Sequence, residues 1–154
     1  LNKKIYFPFL IALALIAGCS SHSIPNKPEQ TSSNIEKARA GALSLDYVNQ
    51  YFNETDINIK KAFVAEHIHP DTQSMFVASA DIITKAEDKI LNPQLIDSSE
   101  TLSDGTTGYA SLLKGDGETE IIVMEKGGKV VWGYFSTSTG DQKSNFDMLR
   151  KLFN

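Results

Sequence analysis

Three glycine-bearing dipeptides, Asp104-Gly105, Asp116-Gly117 and Gly127-Gly128, recur at short intervals in the second half of the chain and constrain its fold more than any other feature. Asp-Gly and Gly-Gly supply the positive φ that two-residue hairpin turns require and that most side chains adopt only with strain. The dipeptides separate four strand-length runs, residues 94–102, 107–114, 118–126 and 129–137. Strands joined by such turns pair with their sequence neighbours, so the pattern predicts a four-stranded antiparallel meander. In the last two runs both faces are apolar. By simple alternation Ile121 and Val123 oppose Ile122 and Met124, and Val130, Trp132 and Tyr134 oppose Val131 and Phe135. A strand apolar on both sides is a central one, or belongs to a sheet that curves around something.

Upstream the period lengthens to that of a helix. Ser44 is placed to cap a helix in which Leu45, Val48 and Phe52 stand at i, i+3 and i+7, and the cluster from Asn53 to Asp56 ends it. Asp56 caps a second helix, where Ile59, Ala62 and Phe63 share a face. It runs to Pro70, because the residue before a proline disfavours helical geometry. Ile83, Ala86 and Ile90 mark a third helix closed by Asn92-Pro93. Near the C-terminus Ser144-x-x-Asp147 has capping-box spacing. Phe146, Leu149 and Phe153 then form one face, with Arg150 and Lys151 toward the negative end of the dipole. The expected fold class is α+β, with N-terminal helices packed on a four-stranded antiparallel meander and a C-terminal helix. At 154 residues, 41% hydrophobic and 22% charged, the chain suits one core.

The N-terminus carries a different pattern. Lys3 and Lys4 precede an apolar run from Ile5 to Ile16, the order and length of a signal peptide and short of the roughly 20 residues that span a bilayer. The run ends in Leu15-Ile16-Ala17-Gly18-Cys19-Ser20, and Cys19 is the single cysteine, so no internal disulfide can form. Here the chain resembles the precursors of bacterial lipoproteins, whose lipobox sets small residues before a cysteine; Ile16 stands where leucine is commoner. The resemblance implies cleavage between Gly18 and Cys19, lipid attachment to Cys19 as a diacylglyceryl thioether, and an extracytoplasmic protein anchored to a bacterial membrane. Small side chains admit the backbone to a protease site, and a thiolate is the nucleophile that thioether formation needs. Ser20 suits outer-membrane sorting in a Gram-negative host; in a Gram-positive host the same signal leaves the protein on the outer face of the cytoplasmic membrane. From Ser20 to about Ala40 the chain is rich in Ser, Pro, Thr and Asn and lacks apolar periodicity, which predicts a solvated tether. The expected organisation is a signal peptide over 1–18, a lipidated N-terminus and flexible tether over 19–40, and one domain over 41–154.

The element order over residues 43–137, ending in the hairpin from Ile121 to Trp132, also resembles the NTF2-like (cystatin-like) domains of small bacterial lipoproteins. That resemblance implies a cavity that would hold a small ligand or substrate. The terminal helix departs from it, since that superfamily usually ends on a strand.

No motif specifies a reaction. Removing Lys3 and Lys4 from 15 basic residues leaves 13 against 19 acidic ones, about −6, with no electrostatic footprint for nucleic acid. Glu66, His67, His69 and Asp71 are the one dense group of metal-capable side chains, but residues two apart on a helix point about 200° apart and cannot share an ion, so the two histidines converge only if the helix has unwound before Pro70. No Gly-x-Ser-x-Gly elbow is present, and Gly115-Asp116-Gly117 lacks a phosphate-loop lysine and serves as a turn. Glu120, on the face of Ile122 and Met124, fits an exposed strand end better than an acid catalyst. Tyr109, Trp132 and Tyr134 fit core packing, with a pocket as the alternative; Tyr47 and Tyr51, one helical turn apart, suit a partner surface. These features predict no cofactor or metal and a membrane-anchored, non-catalytic binding or interaction module of the cell envelope. Its partner would be an envelope protein or a small ligand, with an NTF2-like ligand-binding domain or enzyme as the alternative. Replacing Cys19 by Ser will abolish incorporation of a fatty-acid probe, because a hydroxyl lacks the nucleophilicity of a thiolate. Undiminished labelling of Cys19→Ser would refute the lipobox assignment.

Overall fold

The computed structural model describes residues 29–103 and 106–153. The expected signal peptide, Cys19, the first part of the expected tether and the turn expected at Asp104-Gly105 lie outside them. Four strands, β1 (Gln94–Ser103), β2 (Thr106–Lys114), β3 (Glu120–Lys126) and β4 (Lys129–Phe135), pair in sequence order, each antiparallel to the next. Gly127 and Gly128 both hold positive φ, 58° and 75°, the conformation a tight β3–β4 hairpin demands. The β2–β3 connection differs from expectation, for it spans residues 115–119 and Gly117 does not adopt positive φ. It is held from outside, by the Asp116 N–H donating to the Leu91 carbonyl at 2.9 Å and the Asn92 side-chain amide donating to the Asp116 carboxylate.

Met124 pairs with Trp132 and Glu125 with Val130, so Val131 is an extra residue in β4. Such a bulge interrupts alternation, and two consecutive side chains then project to one side. Val131 consequently joins Trp132 and Tyr134, and Val130 faces away from them. This corrects the assignment of Val130 to the Trp132 face.

Helices cover both sheet faces. On one side lie α1 (Glu29–Tyr47), continued by a π-helical turn (Val48–Phe52), then α2 (Ile57–His67) and α3 (Pro70–Ser79). They enclose a core with Leu113, Ile121, Val123 and Val130 from the sheet. On the other side α4 (Gly140–Arg150), followed by a 3-10 turn (Lys151–Phe153), packs Phe146 onto Ala110, Leu112 and Ile122.

Several helix boundaries differ from those expected. The first helix begins at Glu29, so residues 29–40 of the expected tether are its opening turns, and Ser44 is a fully buried interior position, not a cap. Its buried stripe is Ala40, Leu43, Tyr47, Val48 and Tyr51, one position away from the Leu45 and Phe52 edge. The opening turns carry Glu, Lys, Ala and Arg, good helix formers without an apolar signal. Asp56 caps α2 as expected, accepting the Asn58 N–H at 2.8 Å, but the buried face is Lys60, Phe63 and Val64, and Ile59 is exposed. The third helix lies upstream of its expected place. Pro70, with its φ preset, occupies the first turn of α3, while residues 81–93 are irregular apart from a 3-10 turn at Ala86–Asp88. The last helix starts at Gly140, and Ser144 sits inside it, its hydroxyl donating back to the Gly140 carbonyl.

The π-helical turn closes with the Asn53 N–H on the Val48 carbonyl at 2.8 Å. Tyr47 and Tyr51 both turn inward, their rings stacked 5.6 Å apart against Phe63 and Phe76. Gly133 makes room, because a Cβ there would lie 3.0 Å from the Tyr47 ring and hydroxyl. The Asn53 side chain clamps the irregular segment through residue 90, donating to the Ile90 carbonyl at 2.7 Å and accepting the Ile90 N–H at 3.0 Å. Asn53→Ala strands both backbone groups and should cost about 2 kcal/mol, each lost partner being worth about 1–3 kcal/mol. Chemical denaturation measures this; a loss under about 0.5 kcal/mol, the range of ordinary surface substitutions, would contradict the clamp.

Candidate functional site

Helix α4 is fixed to the outer sheet face at two places. The Arg150 guanidinium forks onto Glu120, with Nε to Oε2 at 2.8 Å and Nη2 to Oε1 at 3.3 Å. Glu120 is therefore an ion-pair anchor at the strand end, and its side chain is largely covered, 20% exposed, where an exposed strand end was expected. Near the start of α4, Trp132 Nε1 donates to Gln142 Oε1 at 3.1 Å. The Trp132 ring sits edge-on to Phe76 of α3, 5.5 Å between centroids, so this side chain bridges α4 and the helices of the opposite face around strand β4.

Between these anchors α4 leaves uncovered the end of the sheet that carries the Gly127-Gly128 turn. A groove of about 340 Å³ opens there. Its floor is formed by Gly108, Met124, Val131, Trp132 and Tyr134, and its wall by Asn145, Met148 and Leu149 of α4. Thr101, Glu125, Lys126, His69 and Asp71 stand around it. Trp132 and Tyr134 thus line a pocket, as the alternative reading of these aromatics anticipated. Tyr109 does not join them. It lies on the opposite face, 8% exposed, across from Glu125. Tyr47 and Tyr51 are 4% and 6% exposed and form core, which removes them as a partner surface. The Tyr51 hydroxyl donates to the Phe76 carbonyl at 3.0 Å and shares a hydrogen bond of 2.8 Å with Ser79.

The group around Pro70 does not converge. Helix α2 ends at His67, whose ring rests on Phe63 at 4.9 Å, with the Glu66 carboxylate 3.8 Å from its Nε2. His69 lies beyond the helix and caps α3, its Nδ1 accepting the Asp71 N–H at 3.3 Å. Helical geometry is not what separates the two histidines; each is held by its own partner. Among the described residues no three such side chains gather around a point that could hold a metal.

Two buried charges carry no motif. Lys60 is 2% exposed; its ammonium donates to the Ile82 carbonyl and lies 5.0 Å from the Tyr51 ring centre. Burial lowers its pKa, against the opposing influence of Glu54 and Asp81. Glu125 is 4% exposed, and its Oε2 has no hydrogen-bond partner. Burial raises its pKa, Arg39 lowers it and Glu36 adds to the rise. Glu125 sits within a run that is apolar on both faces, and a charge interrupting such a run was the signal available in the sequence.

Between α1–α3 and the sheet the rings of Tyr47, Tyr51, Phe63 and Phe76 occupy the space at centroid separations of 5.2–6.3 Å. The chain matches no family model, no curated protein and no solved structure. Among the described residues no helix is long and apolar enough to cross a membrane.

Proposed function

We propose that this chain is a membrane-anchored extracytoplasmic lipoprotein whose domain is a non-catalytic binding module, taking the apolar part of a small ligand in the groove beside α4. The groove itself is the observation that supports this reading most. Its 340 Å³ falls at the lower end of the roughly 300–1,000 Å³ typical of small-molecule sites. Tryptophan and tyrosine offer broad apolar faces with a polar edge, and two methionines, Met124 and Met148, adapt to ligands of varied shape. The lipobox around Cys19 supports the anchored, extracytoplasmic part. A binding site in an internal NTF2-like cavity has less support, because four aromatic rings fill the space between α1–α3 and the sheet.

Trp132 is the only tryptophan, so its emission reports directly on the groove. Titration with anilinonaphthalene sulfonate, an apolar anionic probe, should give a saturable change in Trp132 emission. Met148→Glu, at a side chain 59% exposed on the wall, should weaken binding about tenfold, roughly 1.4 kcal/mol. No saturable change, or equal affinity in Met148→Glu, would count against the groove.

A further inference from the structure

We propose that residues 33–39 of α1 form a releasable arm whose docking onto the sheet depends on the charge state of Glu125. The arm lies between the expected lipid anchor and the first buried residue of the helix, Ala40. None of its side chains is buried, and its one large apolar residue, Ile35, is 62% exposed. The contacts described for it are polar. The Lys37 ammonium meets the Asp97 carboxylate at 2.9 Å, and the Arg39 guanidinium, paired with Glu36 of its own helix at 3.7 Å, lies beside Gly128, where it also acts on the charge of Glu125. Exposed ion pairs are each worth only about 0–1 kcal/mol, so such an arm belongs to the least stable part of a fold.

Glu125 and Tyr109 are opposite one another in β3 and β2 and form the surface the arm covers. From α1 the groups facing Glu125 are Arg39, which attracts its charge, and Glu36, which repels it. From β2 it faces Tyr109, beyond which stands Glu100 of β1, and from β4 the uncharged Val130. One oxygen of the carboxylate is sealed from solvent with no hydrogen bond. Lifting the arm would hydrate it.

The direction follows from linkage. Glu125's pKa is raised in the docked arrangement, with burial as the largest cause. The docked arm is therefore favoured while the carboxyl is protonated, and that advantage is lost as pH rises through the raised value and the group ionises. Release would lengthen the spacer to the membrane, from about 1.5 Å per residue in a helix toward about 3.3 Å in an extended chain.

Hydrogen exchange on the full chain between about pH 5 and about pH 8, corrected for the intrinsic rate, tests this directly. Amides of residues 33–39 should lose protection severalfold as pH rises while those of β3 keep theirs, and Glu125→Gln should flatten the profile. Two exposed substitutions give an independent pair of signs: Arg39→Met should deepen the loss at high pH, and Glu36→Gln should diminish it. Protection that ignores pH, a profile unchanged by all three substitutions, or a loss running in step with β3 would overturn the proposal.

Discussion

Along β3, Ile121, Ile122 and Val123 follow one another with no exposure at all, and Leu112 and Leu113 do the same in β2. Successive side chains of a strand point to opposite faces, so such runs demand an apolar cover on both sides of the sheet. The rest of the molecule answers that demand. On one side three helices and an aromatic cluster provide it. On the other a single helix does, and a helix is about 10 Å wide, whereas four strands spaced about 4.8 Å apart span about 14 Å. One helix cannot roof the whole face. The groove is the remainder, and the Arg150–Glu120 fork helps decide which end of the sheet stays open.

The same alternation places unlike chemistry back to back. Met124 and Lys126 line the groove; Glu125 between them also borders it, and its carboxylate is acted on by Arg39 and Glu36 in the opening turns of α1. A carboxylate inside a strand otherwise built for burial is costly unless paired, and the cation that acts on it, Arg39, is largely exposed and pairs with Glu36. The other buried charge, Lys60, is accommodated by a backbone carbonyl and the face of Tyr51. Both charges sit where irregular or polar segments dock onto the core, Lys60 against residue 82 and Glu125 against the first turns of α1.

The meander was legible in the sequence because its signals are local. Gly127-Gly128 and the two-faced runs predicted β3, β4 and their turn, and Asp56 announced α2. What was hidden depended on tertiary partners. The bulge at Val131 leaves no mark in composition, yet it exchanges the faces of Val130 and Val131 and so determines which side chains meet Trp132. The stripe of Ile83, Ala86 and Ile90 has helical spacing, but Asn53, Lys60 and Thr84 hold that segment by side-chain bonds to or from the backbone at 90, 82 and 52. Residues 29–39 show no apolar period because none of the side chains described there is buried. Of the candidate site, the aromatics Trp132 and Tyr134 were visible as possible lining. The contributions of Met148 and Leu149 depend on where α4 lies across the sheet, which no local pattern encodes.

The proposed ligand site is on the outer sheet face beside α4 and not between the sheet and α1–α3. Amide chemical-shift mapping by NMR while an apolar probe is added tests it most directly. The account predicts perturbations concentrated at Gly108, Met124, Trp132, Asn145 and Met148. Perturbations centred on Tyr47, Tyr51 and Phe63, with the α4 amides unmoved, would contradict it.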